Sequence, residues 1–396
     1  MTRLSSRTEP QAPDVFRLTT TDVAHGGFCV ARTDNRVVFV SGALPDEVVD
    51  VEITARRAKS WYGRVVAVVE PSPDRVPHVW PLAAAQGIGG VDLGHVSLAA
   101  GRAWKARVVE TQLRRLALRT VTVQVEAAPG DEARAGLASR TRVTLRADAA
   151  GRLGMYAAKS HEVVPVDGMP LAVGELQAVI TGDLGRRFPP GQPRHFVQPS
   201  GSPLVVVGEG AVPGVTEVVT TQAGTWRYQV RADGFWQVHR AAPAVLVAAV
   251  LDAVGDASPA YDLYAGAGLF TQPLADRGPL TAIEGSPTAV ADLRRNVPRG
   301  VTVVAGDVAT VLAGAPRVGR GVIVCDPPRA GAGRRAVEQM TRLQPDRVVY
   351  VACDPAALAR DVALFDTGGY ELTGLRGFDL FPLTHHVECV AVLDKR

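Results

Sequence analysis

Between Phe16 and Glu70 the apolar positions fall in short strand-like runs, Phe28–Arg32, Arg36–Val40, Val48–Arg56 and Gly63–Val69, divided by the turn signals Thr33-Asp34-Asn35 and Gly42-Ala43-Leu44-Pro45. Short strands at this spacing predict a small β-barrel. Polar, Pro-containing residues 1–15 precede it and read as a disordered tail, and Pro71-Ser72-Pro73 follows as a linker. Behind Ser97, apolar residues recur at helical spacing, which predicts a capped helix over 97–118. From Val121 to Val230 the pattern is irregular and strand-like. Thr141–Asp148 and Arg152–Ser160 read as a hairpin around Ala149-Ala150-Gly151, with Leu204–Val207 and Trp226–Ala232 as further strands.

From Ala241 the texture changes to an alternation. Helix Ala244–Val254 leads to strand Ala260–Tyr264, strand Leu280–Glu284, helix Thr288–Asn296 and strand Val301–Val304. Strand Gly321–Cys325, helix Arg334–Leu343, strand Arg347–Ala352 and helix Ala356–Leu364 continue it. Such alternation predicts a doubly wound, Rossmann-like α/β domain. The tail from Tyr370 to Leu393 adds two strands, expected as an antiparallel pair at the sheet edge. The chain therefore divides into a tail (1–15), a barrel (16–72), a mostly β central domain (73–232) and an α/β domain (233–396), in keeping with 396 residues.

Composition narrows the class. At 46% hydrophobic and 21% charged residues, disordered and fibrous chains are excluded. No run reaches the roughly 18 apolar residues of a membrane span; the best, Ala242 to Val254, is broken by Asp252. The N-terminus lacks the apolar segment of a secretory signal. Cys29, Cys325, Cys353 and Cys389 lie far apart without a CxxC pair, which suggests neither disulfides nor a zinc ribbon. A cytoplasmic monomer without membrane contact is expected. Net charge is only +3, but the stretch His95–Thr120 holds six cations against Glu110, so the basic helix is expected to face a partner.

Candidate chemistry gathers at predicted strand ends. Gly266 and Gly268 follow Asp262 and permit a tight turn close to a ligand; Glu284, 22 residues after Asp262, can hold ribose hydroxyls. Thr271 stands where a third glycine of a pyrophosphate cradle belongs, so an adenosyl ligand without phosphates suits the turn better. Asp307 reads either as an adenine contact or as a turn residue. Asp326-Pro327-Pro328-Arg329 makes an acid on a stiff loop. Cys353 reads either as a nucleophile at a strand-to-helix junction or as a buried inert thiol, and Glu388 either as a general base or as a solvated edge-strand acid. Cys325 and Cys389 read as core. His385-His386 lacks a third ligand, so no metal is expected.

Phe235-Trp-Gln237-Val, Asp262-Leu-Tyr264, Asp326-Pro-Pro-Arg329, Cys353-Asp-Pro355 with Ala359-Arg-Asp361, and Phe381-Pro-Leu-Thr384 leading to Glu388 occur in one order. In this the chain, from about Phe16 to Val392, resembles the class I S-adenosylmethionine-dependent RNA 5-methyluridine methyltransferases of tRNA and large-subunit (23S) ribosomal RNA. Its N-terminal barrel resembles the OB-like, RNA-binding TRAM domain. The resemblance implies S-adenosylmethionine at Gln237, Tyr264, Glu284 and Asp326, with Cys353 as nucleophile and Glu388 as the base that takes the C5 proton. Arg56, Arg57, Lys59 and Trp61, together with Arg329, are the expected RNA contacts, the barrel set reading otherwise as a solvated loop.

Three departures stand out. Many family members hold an iron–sulfur cluster on four cysteines. Those positions fall near Trp80, Ile88, Val91 and Met169, so no cluster is expected and apolar packing takes its place. Ala352 and Asp354 replace the usual Ser and Asn beside the nucleophile, and Leu269 replaces a polar residue after Gly268. Two competing readings are an adenine- or amine-directed methyltransferase using Asp326-Pro-Pro, and an RNA-binding protein without catalysis. The first requires no Cys353 and usually follows the prolines with an aromatic residue; the second leaves Gln237, Glu284, Cys353 and Glu388 unexplained.

Overall fold

The computed structural model describes residues 14–33, 36–158, 160–319 and 321–396. The expected tail, apart from its last two residues, and the Asp34-Asn35 turn lie outside them.

Strands β1 (Val15–Ala24), β2 (Phe28–Thr33), β3 (Arg36–Ser41), β4 (Val48–Arg56) and β5 (Ser60–Glu70) form a closed barrel in the order β1-β2-β3-β5-β4. The pattern of apolar positions had not singled out β1. Its inward position Thr20 is polar, and the hydroxyl is satisfied inside the barrel by the carbonyls of Leu44 and Glu47. A buried hydrogen-bonded threonine interrupts the two-residue hydrophobic period without weakening the strand.

Helices α1 (Pro81–Gln86) and α2 (Leu98–Leu116) follow. Ser97 caps α2, its hydroxyl accepting from the Ala100 N–H at 3.3 Å. Trp104 and Val108 of α2 complete the barrel core, while Val109 and Leu113 belong to the core of the α/β domain. The helix is thus a spine between two bodies, and much of the basic stretch expected to face a partner is engaged in ion pairs within the chain. Lys105 is buried on Asp379, Arg102 pairs with Glu132, Arg107 with Asp22, and Arg119 with Asp366.

Next come β6 (Val125–Ala127), β7 (Arg142–Ala147), β8 (Leu153–Tyr156), β9 (Val163–Pro165), α3 (Gly174–Leu184), β10 (Pro193–Val197) and β11 (Val205–Val207). Strands β7 to β11 make an antiparallel sheet in the order β11-β10-β7-β8-β9. Helix α3 was unforeseen: its cap position is Val173, which offers no side-chain acceptor, and Gly, Val, Ile and Thr weaken its propensity. Trp80, Ile88, Val91 and Met169 all lie in the core under this sheet, none more than 4% exposed. The hairpin β12 (Gly214–Thr221) and β13 (Gly224–Arg231) packs through Val215, Val219, Tyr228 and Val230 onto the α/β core.

The remaining elements are α4 (Ala242–Val254), β14 (Pro259–Leu263), α5 (Thr271–Ala275), β15 (Thr281–Glu284), α6 (Pro287–Asn296), β16 (Thr302–Ala305), α7 (Val308–Ala313), β17 (Val322–Cys325), α8 (Gly333–Leu343), β18 (Arg347–Ala352), α9 (Pro355–Thr367), β19 (Tyr370–Asp379) and β20 (Glu388–Lys395). They build a sheet in the order β16-β15-β14-β17-β18-β20-β19-β6, with β14 to β18 parallel. The last two strands are antiparallel neighbours, as expected, but not at the edge: β20 inserts between β18 and β19, and β6, from the central segment, covers β19. Among the described residues no helix is long and apolar enough to cross a membrane.

Candidate active site

A cleft of about 730 Å³ opens over the carboxyl ends of β14, β15, β16, β17 and β18. The order reverses between β14 and β17, and a crevice at such a switch point is where doubly wound sheets bind ligands. The chain brings Gln237, Tyr264, Gly266, Glu284, Asp307, Asp326, Arg329, Cys353 and Glu388 to its walls.

Strand geometry explains the convergence. Cys353 directly follows β18 and Glu388 opens β20. The two strands are antiparallel with Ala352 opposite Cys389, so the next pair along the register is Cys353 and Glu388. A thiol and a carboxyl group 35 residues apart therefore line one cleft. Cys325 and Cys389 are fully buried in the sheet core, in agreement with their reading, whereas Cys353 is half-exposed to the cleft. Glu388 is only 5% exposed, so it is not a solvated edge-strand acid.

The turn after β14 is shaped by conformations that side chains disfavour. Tyr264 has φ +60°, Gly266 +56° and Gly268 +97°. For a tyrosine the left-handed conformation costs about 1–2 kcal/mol. Gly268 is not on the cleft wall; a Cβ there would lie 3.0 Å from Leu293 Cδ1, so its role is to let the turn pack on α6. Glu284 braces the same turn, accepting from the Gly266 N–H at 2.8 Å and the Ser286 N–H at 2.6 Å. Asp307 both lines the cleft and caps α7, accepting from the Thr310 hydroxyl at 2.7 Å and from the Thr310 N–H at 2.9 Å, which hold its pKa low.

The loop carrying Phe235 and Gln237 is held from the central segment. Arg142 donates to the Ala232 carbonyl at 3.1 Å and pairs with buried Glu217, and Thr141 donates to the Val238 carbonyl. Gln237 is thereby buried against the cleft, while Phe235 stands 79% exposed at its mouth.

The electrostatics are unusual. Asp326 and Glu388 make no side-chain hydrogen bond among the described residues. Burial pushes Asp326 up to about 7 and drives Glu388 well above the usual carboxylate range, Asp326 adding to the rise and Arg329 opposing it. Asp262, beneath the turn, is also pushed up to about 7 by burial, and its Oδ1 has no partner among the described residues. Burial, then Glu388 and Asp326, pushes the Cys353 thiol up to about 12. Burial at this site thus favours the protonated forms of these groups.

On the barrel, the Arg56 guanidinium lies 4.4 Å from the Trp61 ring centroid and Arg57 5.1 Å from that of Tyr62. Arg56, Arg57 and Lys59 are exposed, and neither they nor Trp61 line the cleft. Among the described residues no three metal-ligating side chains converge. His385 is bound to Asp92, while His386 lines the cleft, kept neutral by burial that pushes it down to about 4. The sequence by itself offers these adjacent histidines only as a metal-ligand pair. Asp292, buried on the cleft wall and accepting from the Arg231 N–H, carried no sequence signal at all.

Against known proteins, the TRAM domain family matches residues 14–66, and the tRNA (uracil-5-)-methyltransferase family matches residues 319–396. An uncharacterized RNA methyltransferase of Bifidobacterium longum is 41% identical, over 94% of this chain and 95% of its own. A second, from Streptomyces coelicolor, is 38% identical over 94% and 91%. The crystal structure of Pyrococcus abyssi tRNA (uracil-54, C5)-methyltransferase in complex with S-adenosyl-L-homocysteine superposes with a TM-score of 0.70 at 20% identity, covering 96% of this chain and all of that one. It has the same fold.

Proposed function

This chain belongs to the TRAM-bearing RNA methyltransferases of the tRNA (uracil-5-)-methyltransferase family, and on that premise we propose that it methylates C5 of a uridine in tRNA or 23S ribosomal RNA, with S-adenosylmethionine as donor, through a covalent bond from Cys353 to C6. The observation that carries this reading is the Cys353–Glu388 juxtaposition in the cleft.

The cleft suits the donor. Unpaired acids at Asp326 and Glu388 favour a cationic ligand, and the open backbone at Gly266 admits close approach. Gln237, Tyr264, Gly266, Glu284, Asp307 and Asp326 are the residues that would hold it. When bound, S-adenosylmethionine supplies an electrophilic methyl group. An iron–sulfur cluster does not suit this chain: Trp80, Ile88, Val91 and Met169 offer no thiolate and fill one core.

Uracil C5 is a poor nucleophile. Addition of the Cys353 thiolate to C6 places the electron pair of the C5–C6 double bond on C5 and O4, and C5 would then bond to the donor's methyl carbon as the methyl–sulfur bond breaks, its electron pair staying on the departing thioether sulfur. Glu388 takes the C5 proton; the electrons of that C–H bond restore the double bond and expel the Cys353 sulfur as thiolate. The target base must leave its stack to reach the cleft. Exposed Phe235 and Arg329 at the mouth, and the Arg56-Arg57-Lys59-Trp61 face of the barrel, are the surfaces offered to RNA.

Trapping tests the reading. RNA carrying 5-fluorouridine, incubated with protein and S-adenosylmethionine, is expected to yield a denaturation-stable adduct, because fluorine cannot leave as a proton does. Absence of adduct, with Cys353→Ala methylating RNA as fast as the wild type, would falsify it.

A further inference from the structure

The turn between β1 and β2 is part of the barrel, yet it reaches the catalytic end of the α/β sheet. His25 Nε2 lies 3.0 Å from Asp354 Oδ2, on the residue immediately after Cys353. Asp354 is doubly used: its Oδ1 accepts from the Ala357 N–H at 2.8 Å and caps α9. Burial works to raise its pKa, but these bonds hold it below the usual carboxylate range, so it is a charged acceptor.

The same turn also abuts the loop that leads to Glu388. Gly26 and Gly27 have φ of +89° and +79°, and a Cβ on Gly27 would fall 2.9 Å from Asp92 Oδ2 and 3.3 Å from His385 Nδ1. Only glycine permits this approach. Asp92 in turn accepts from the His385 N–H at 3.0 Å, and the Leu93 N–H donates to the Leu383 carbonyl at 2.9 Å. One barrel turn is therefore wedged between the nucleophile loop and the base loop.

We propose that His25 is a positioning residue for Cys353: the barrel turn holds the nucleophile loop through Asp354, so that the domain offered to RNA also sets the geometry of the thiol. The inference rests on the uridine-methylation reading above. A half-exposed His–Asp pair adds little to stability. Its effect lies in placement, since addition to C6 needs the sulfur within near-attack distance and small displacements are costly in rate. Cys353 is fixed on one side by β18 and on the other by Asp354. With His25 gone, only the α9 cap restrains that second side.

The test compares wild type, His25→Ala and His25→Gln, whose amide can still donate to Asp354. Three quantities are measured: the rate of adduct formation at saturating 5-fluorouridine RNA, the KM for RNA, and the Kd for S-adenosylmethionine. For His25→Ala the expected result is a roughly three- to tenfold slower adduct rate with KM, Kd and melting temperature unchanged. For His25→Gln, recovery to within about twofold of wild type is expected. An alanine variant as fast as wild type overturns the inference, as does a loss confined to the KM for RNA, or an equal loss in both variants. Wild-type protein that forms no adduct overturns the uridine-methylation reading and this inference with it. Trapping by wild type and His25→Ala at equal rates overturns this inference alone.

Discussion

Glu47 lies where the barrel meets the following segment, and its side chain is wholly buried. Arg75 holds both its oxygens, at 2.6 and 2.7 Å, and the N–H groups of Leu44 and Ser72 add bonds of 2.8 and 3.1 Å. Burial works to raise its pKa, but these partners overcome it and hold the acid low. Glu388 is almost as deeply buried, but among the described residues its carboxylate accepts nothing, and its pKa is driven up. The same contrast separates Asp379, paired with Lys105 and only 4% exposed, from Asp326, which stands alone at the end of β17. At the seams between bodies the fold pairs the acids it buries. At Asp326 and Glu388 in the cleft it leaves them, among the described residues, without a side-chain hydrogen bond, which destabilises the free protein, as groups at functional sites commonly do.

The contrast breaks most visibly at Cys353 and Glu388. Cys353→Ala is expected to abolish adduct formation. Glu388→Gln is expected to lower turnover by about 10²–10⁴-fold while letting a methylated adduct accumulate on ordinary uridine RNA, since the C5 proton has no acceptor. Gel-shift after denaturation reads both; a Glu388→Gln protein that turns over at the wild-type rate removes this acid from the reaction. Next in size is the seam. Arg75→Ala strands a buried carboxylate and is expected to cost about 3–5 kcal/mol in urea unfolding, and a loss below about 1 kcal/mol would show that Glu47 finds water instead.

A smaller effect of opposite sign is expected at Asp326. Its folded pKa is raised from its ordinary carboxylate value to about 7, so the stability contributed by its proton is complete below pH ~4 and is lost as the pH rises to about 7. Asparagine loses nothing over that window. Asp326→Asn is therefore expected to match wild type near pH 4 and to be more stable at pH 8, by about 4 kcal/mol at most, while losing affinity for S-adenosylmethionine. A less stable variant at pH 8 would mean that the free protein already pairs this acid. Smallest is Arg56→Ala on the exposed barrel face: stability within about 0.5 kcal/mol of wild type, but weaker RNA binding with a salt slope shallower by about one.

Local signals carried much of the architecture. The alternation after Ala241 told the α/β domain from the barrel because a helical period and a strand period are short-range properties of the chain. Ser97 marked the start of α2, and Gly266 and Gly268 marked the turn after β14, because caps and positive φ depend on single residue types. Signals failed where a distant partner decided the outcome. Thr20 is a core residue only because Leu44 and Glu47 present carbonyls to it. The six cations of His95–Thr120 look free in sequence, but Asp22, Glu132, Asp366 and Asp379 claim four of them. His25 gives no sign of its reach to Asp354, 329 residues away.

Residue types and their order determined by themselves that a thiol, several acids and a glycine turn would fall at the carboxyl ends of neighbouring parallel strands, since each follows a strand-forming run. Tertiary structure alone decided which of those acids would lack a partner, and that Glu388 would face Cys353. The second depends on β20 pairing with β18 in a register that sets Ala352 opposite Cys389. That register is chosen by burying Cys389, Val390 and Ala391 between neighbours far away in the chain, a collective packing energy that no local pattern encodes.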